Sequence, residues 1–167
     1  MRTNQIRTAF LGLLLAAAAP ATCADAGPAS WLTIDPPGSG QTMPLAITGN
    51  SLIAGWYADN VTHTKHGFVR NRDGTFTSFD APDATADTVA YGVNTEGVVT
   101  GNYTTLIGGL QYAEGYLRAP NGAIIEFQVP GQRYVTPQAI NRRGEIVGMA
   151  QSDSGPSISF LRTPTGT

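Results

Sequence analysis

The chain has 167 residues, 41% of them apolar and 13% charged, and its formal net charge is −2. That charged fraction is about half the usual value for a globular domain. The ten basic residues form no cluster, which excludes nucleic acid and anionic membrane surfaces as partners. The single cysteine, Cys23, excludes a disulfide framework within the chain.

The first element is a leader. Arg2 and Arg7 precede an unbroken run of Ala, Leu, Phe and Gly from Ala9 to Ala19, Pro20 ends it, and Ala24-Asp25-Ala26 supplies a small-x-small cleavage site. This is the pattern of a secretory signal peptide over residues 1–26. The apolar run is shorter than the roughly 20 residues a spanning helix needs. Cys23 is a poor lipid-attachment site, because Pro20-Ala21-Thr22 lacks the Leu-Ala-Gly-like run such sites carry. Cleavage after Ala26 predicts a secreted or periplasmic protein with no transmembrane segment in the mature chain. It also removes the only thiol and leaves a net charge of about −3.

Residues 27–167 read as a single β-repeat domain with units at 30–76, 77–124 and 125–167. Ile34-Asp35-Pro36-Pro37-Gly38 recurs as Phe79-Asp80-Ala81-Pro82-Asp83 and Phe127-Gln128-Val129-Pro130-Gly131. Gly97-Val98-Val99-Thr100-Gly101 recurs as Gly144-Glu145-Ile146-Val147-Gly148, and more loosely as Ser51-Leu52-Ile53-Ala54-Gly55. His66-Gly67-Phe68-Val69-Arg70 becomes Glu114-Gly115-Tyr116-Leu117-Arg118, then Ile158-Ser159-Phe160-Leu161-Arg162. The period of about 47 residues is that of stacked supersecondary units such as propeller blades.

Each unit is predicted to hold four short antiparallel strands. In the middle unit these are Thr75–Phe79, Val89–Val93, Val98–Tyr103 and Tyr112–Arg118, rich in Val, Thr, Tyr and Phe. Outside the leader no stretch of more than ten residues has helical spacing, so the fold class is all-β: about three four-stranded antiparallel repeats, propeller-like, either partial or three-bladed. Asn94-Thr95-Glu96-Gly97 and Asn141-Arg142-Arg143-Gly144 are predicted tight turns. Thr48-Gly49-Asn50-Ser51 reads as a shorter, two-residue hairpin. A second turn recurs at Asn71–Gly74, Pro120–Gly122 and Pro164–Gly166. The variable connections Ala58–Lys65, Thr104–Gln111 and Gln151–Pro156 are the expected seat of function.

Candidate chemistry is sparse. Asp59, His63 and His66 are weak candidates for a metal site, since imidazole and carboxylate are ordinary zinc ligands; the simpler reading makes His66 a repeat residue and His63 a loop residue. No metal, cofactor or catalytic residue is assigned. Asp35 and Asp80 occupy equivalent places, which suits turn-fixing rather than the unlike environments of a glycosidase pair. Arg70, Arg118 and Arg162 recur at one strand end and are expected to hold turns or pair with Asp. Trp56, Tyr57, Asp59, Asn102 and Tyr103 are the candidate ligand-binding rim, because aromatic faces beside Asn and Asp suit carbohydrate. The competing reading packs these rings between blades.

Ala139-Ile140-Asn141-Arg142-Arg143-Gly144-Glu145-Ile146-Val147-Gly148, the His66-Gly67-Phe68 strand and the Phe79-Asp80-Ala81-Pro82 strand together resemble the bacterial extracellular HAF repeat, over almost all of the mature chain. Glu114 and Ile158 depart from its His position. The resemblance implies export and propeller-like arrays, and carries no catalytic residue. The expected function is a binding or structural role at the cell envelope or outside the cell, without enzyme activity. The expected partner is carbohydrate or an envelope protein, and Trp31–Asp35, a spare copy of the Phe-Asp-x-Pro strand, suggests a homodimer by blade completion. The alternatives are a polysaccharide hydrolase or lyase, or a fragment of a longer array.

Overall fold

The structure, a computed structural model, describes residues 29–165. The predicted leader, Cys23 and the last two residues lie outside that range. Among the described residues every regular element is a strand, and no helix there is long and apolar enough to cross a membrane. All strands belong to the compact unit that begins at Thr33.

Three antiparallel meanders follow one another. The first is β1 (Ser39–Ile47), β2 (Ile53–Asp59), β3 (Lys65–Arg70) and β4 (Phe76–Phe79). The second is β5 (Thr88–Val93), β6 (Val99–Ile107), β7 (Leu110–Arg118) and β8 (Ile124–Phe127), and the third is β9 (Tyr134–Ile140), β10 (Ile146–Gln151) and β11 (Ile158–Arg162). The first meander is a separate four-stranded sheet. A single parallel bridge, Ala113 to Tyr134, joins the second and third into one seven-stranded sheet. Thr75–Phe79, predicted to open the middle unit, is instead the outer strand of the first sheet: Phe79 pairs with Gly67 and Phe76 with Arg70. Periodicity marks where a strand lies, and hydrogen bonding alone decides which neighbour it joins.

The turns explain the register. Asn94 accepts the Val98 amide on its side chain at 2.9 Å while the Gly97 amide closes on the Asn94 carbonyl at 3.0 Å. Asn141 does the same for Glu145 and Gly144, at 3.0 and 3.1 Å. The first-meander turn is not the predicted shorter hairpin. The Thr48 hydroxyl accepts the Leu52 amide at 2.9 Å, Ser51 bonds the Thr48 carbonyl at 2.9 Å, and Ser51 takes the left-handed conformation (φ 64°) that Gly97 takes elsewhere (φ 79°). A threonine hydroxyl does here what an asparagine carbonyl does in the other two turns.

Each meander also carries a bulge at one place: between Pro44 and Ala46, between Ala90 and Gly92, and opposite Val147–Gly148. A bulge leaves one residue out of the ladder, here Leu45, Tyr91 and Gln138, and Pro44 and Pro137 stand directly beside two of these, at the bulges where proline is tolerated within a strand. A bulge also thrusts a carbonyl at the facing strand. A Cβ on Gly101 would collide with the Val89 oxygen, and Gly55 and Gly148 face the Met43 and Thr136 oxygens in the same way.

The main core lies between the first and second meanders, where Ala54 and Val69 meet Ala90, Val93, Val99, Tyr103 and Tyr116. The same packing motif then repeats. The Phe79 ring lies over Gly67, meets Tyr116 edge-on at 6.0 Å, and is covered by the Arg118 guanidinium at 4.6 Å. Forty-eight residues later the Phe127 ring lies over Gly115, meets Phe160 edge-on at 6.3 Å, and is covered by Arg162 at 4.9 Å. Arg118 and Arg162 thus stack on the last strand of the preceding meander, and Arg70, Arg118 and Arg162 each hold the following turn by donating to the carbonyls of Asn71, Ala119 and Thr163 at 3.4, 3.4 and 3.3 Å.

The predicted loop Thr104–Gln111 is strand for most of its length. β6 and β7 pair out to Ile107 and Leu110, and Gly108 and Gly109 (φ 59° and 81°) form a two-residue turn of the kind that matches strand twist.

Candidate functional site

The predicted rim residues lie on two strands of different sheets, Trp56, Tyr57 and Asp59 on β2 and Asn102 and Tyr103 on β6, and strand alternation divides them further. Trp56 and Tyr57 are consecutive on β2, so their side chains leave on opposite faces. Trp56 stands with Lys65, whose ammonium lies 5.1 Å from the indole and 3.2 Å from Asp87. The Lys65 amide also donates to Asp87 at 3.0 Å, which fixes the cation against the ring. Tyr91, the bulged residue of β5, feels the same ammonium, although burial still raises its phenol above the usual value.

Tyr57 belongs to a second cluster. Its ring lies 5.3 Å from His66, and its hydroxyl shares a 2.9 Å hydrogen bond with Ser78. His66 Nδ1 is 2.8 Å from Asp80 Oδ1. By register, Tyr103, Glu114 and Glu126 occupy the corresponding places in the second meander. There the Tyr103 hydroxyl donates to Glu114 at 2.9 Å, and the tyrosine is only 1% exposed. Burial first, and then the Glu114 carboxylate, push its pKa well above the ordinary value. Tyr103 is therefore a core residue. The covering meander accounts for this: Tyr57 lies on a face that stays partly open, Tyr103 on one packed against the first meander.

Asp59 and Asn102 are structural. The Asp59 carboxylate accepts the Thr62 and Val61 amides at 2.8 and 2.7 Å, and those bonds, Thr62 first, hold it below the ordinary carboxylate range. It shapes the short loop in which His63 takes a left-handed conformation (φ 61°). Asn102 donates to the Val135 carbonyl at 3.0 Å and ties β6 to β9. Among the described residues no three His, Cys, Asp or Glu side chains gather as a ligand set. Asp59, His63 and His66 thus do not form such a set: Asp59 is spent on its own loop and His66 on Asp80.

Sequence reasoning missed Lys65, Asp87, Ser78 and Asp80 as partners of the two aromatics. The usable signal was alternation: Lys65 and His66 flank each other exactly as Trp56 and Tyr57 do on the strand they pair with. It also missed the β6–β7 tip, where Leu106, Ile107 and Leu110 are each about half exposed.

A ladder of polar contacts joins the three β-turns at one end of the meanders. Asn50 donates to the Thr95 carbonyl at 3.0 Å, Asn94 to the Asn141 carbonyl at 3.1 Å, and Arg142 to Glu96 at 2.8 Å. The partners are 45, 47 and 46 residues apart. Beside this ladder a cleft opens between the first two meanders, lined by Leu52, Val69, Thr77, Glu96, Arg118 and Pro120 among others.

No protein-family model matches the chain, and no match was found among curated proteins or among solved structures.

Proposed function

We propose that the chain is an exported, propeller-like β-repeat module with a binding or structural role at the cell envelope or outside the cell, acting without catalysis. The observation that carries the binding role is the pair of partly exposed aromatics, Trp56 and Tyr57, each flanked by charged or hydroxyl groups on its own face. Such surfaces take sugars, whose apolar faces stack on rings while their hydroxyls reach the polar neighbours. The propeller-like architecture is supported by polar contacts spaced at 45 to 47 residues, close to the sequence period. Asp59, Asp80 and Asp87 are engaged with backbone amides, with His66 and with Lys65, which favours recognition over acid–base chemistry.

The test is a glycan-array and polysaccharide-binding screen of the purified protein, repeated with Trp56→Ala and Tyr57→Ala. Binding that falls at least tenfold in one variant and persists in the other identifies the working face. Release of reducing ends or unsaturated sugars from a bound polysaccharide would replace this reading with the hydrolase or lyase. Export is tested by N-terminal sequencing of the secreted form, expected to begin at Gly27.

A further inference from the structure

The packing between meanders is directional, and the chain contains it twice. The face of one meander carrying Ala54 and Val69 covers the face of the next carrying Ala90, Val93 and Val99. By register, the third meander presents Val147 and Leu161 where the first presents Ala54 and Val69. These two are 49% and 59% exposed, against 0% and 7% for their counterparts. At the other end, Ile47 stands where Val93 stands in the second meander, and is 72% exposed against 7%. Ile53 and Phe68, on the same face as Ile47, are buried, so the open apolar positions, Val147 and Leu161 on one side and Ile47 on the other, correspond to the two sides of the interface already built inside the chain.

The segment before β1 fits the same scheme. The outer strands β4 and β8 are each followed by a proline turn, closed by Ala84 onto Ala81 at 3.1 Å and by Gln132 onto Val129 at 3.0 Å. Ser39 closes onto Pro36 at 3.2 Å in the same way, so residues up to Asp35 stand where an outer strand of a preceding meander would stand. Ile34 lines one concavity with Ile47 and Ile53, on the open face. Residues 33–35 form no strand, and among the described residues β11 is paired on one side only.

We infer that the occupant of both faces is a second copy of this chain. The Thr33–Asp35 segment of each copy adds to β11 of the other as its fourth strand, and the Leu161 face of each packs on the Ile47 face of the other. The two junctions are identical and related by a two-fold axis. A second copy presents the complement of each open face, and a two-fold arrangement satisfies both junctions at once. Strand addition to an open edge supplies main-chain hydrogen bonds, and the apolar faces supply burial. The inference rests on the propeller-like reading above.

The experiment is sedimentation velocity of the purified protein, with Ile34→Cys/Ser159→Cys oxidised in parallel. Ile34 corresponds to Phe79 and Phe127, which pair with Gly67 and Gly115, so its partner on β11 is Ser159. The expected result is a closed species of about twice the mass of the mature chain, trapped as a covalent dimer by the cysteine pair. Leu161→Glu, at an exposed site, is expected to give a folded monomer by circular dichroism. A monomeric parent protein, an open polymer, or a dimer that the cysteine pair fails to trap overturns the inference. A monomer in which Asn94→Ala still weakens the whole fold leaves the propeller-like reading standing, whereas a monomer indifferent to Asn94→Ala removes both.

Discussion

The Asn94 side-chain amide donates to the Asn141 carbonyl at 3.1 Å, and these are the first residues of two turns of identical geometry. One side chain thus closes its own hairpin through its oxygen and holds the next hairpin through its nitrogen. Asn94 is 6% exposed, and its loss would remove both bonds at once, although the exposed Asn141 can turn to water.

Asn94→Ala is accordingly expected to destabilise the protein by about 1–3 kcal/mol, from the loss of two hydrogen bonds at about 0.5–1.5 kcal/mol each. A urea or thermal melt measures it. A loss within about 0.5 kcal/mol, the range of ordinary surface substitutions, would show that the turn ladder is incidental.

Gly101→Ala should be far worse. The new methyl meets the Val89 carbonyl and the Tyr116 hydroxyl, which are hydrogen-bonded to each other at 3.1 Å, so neither can retreat without straining that bond. The expected loss is about 3 kcal/mol or more, at or beyond the upper end for overpacking. Gly49→Ala is the control, with nothing within 4 Å of the new carbon, and its melt should match that of the parent protein.

Phe79→Leu removes the ring that meets Tyr116 and carries Arg118. A loss of about 1–2 kcal/mol is expected, from the aromatic pair and the cation–π contact together. Phe79→Tyr, which keeps a ring there, should recover most of it. Equal losses for Leu and Tyr would mean that shape rather than the aromatic face matters.

Tyr103 and Tyr116 predict an alkaline limit. Burial, the largest cause for each, raises both pKa values above that of an unfolded tyrosine. The folded state keeps these protons, so their contribution is complete below about pH 10, the unfolded value, and is lost as pH rises beyond it. Tyrosinate absorbance followed with circular dichroism should show two of the six tyrosines ionising only as the fold is lost. Six smooth titrations near pH 10 with the fold intact would contradict this.

The strand and turn positions were largely legible because they depend on local chemistry: alternation, β-branched residues, and Asn and Gly at fixed turn places. The candidate site was much less so. Trp56 and Tyr57 look like one patch in sequence, yet a pleated strand sends neighbours to opposite sides. Tyr103 looks like the equal of Tyr57 and is, by register, but one lies under another meander and the other does not. Such covering is a property of layers, absent from any window of sequence. Thr104–Gln111 read as a loop because it shares nothing with the matching connections Ala58–Lys65 and Gln151–Pro156, although its Gly108-Gly109 pair is what lets two strands run on to a tight reversal.

That reversal has a practical consequence. The β6–β7 tip extends past the neighbouring strands, and the positions a side chain would fill at Gly108 and Gly109 are empty for 4 Å around. Lengthening the chain there disturbs no packed group, and each doubling of loop length adds only about 0.6 kcal/mol of closure cost. The hairpin is therefore the natural place to graft a foreign peptide, carried on a stalk of paired strands and held clear of everything else the chain does.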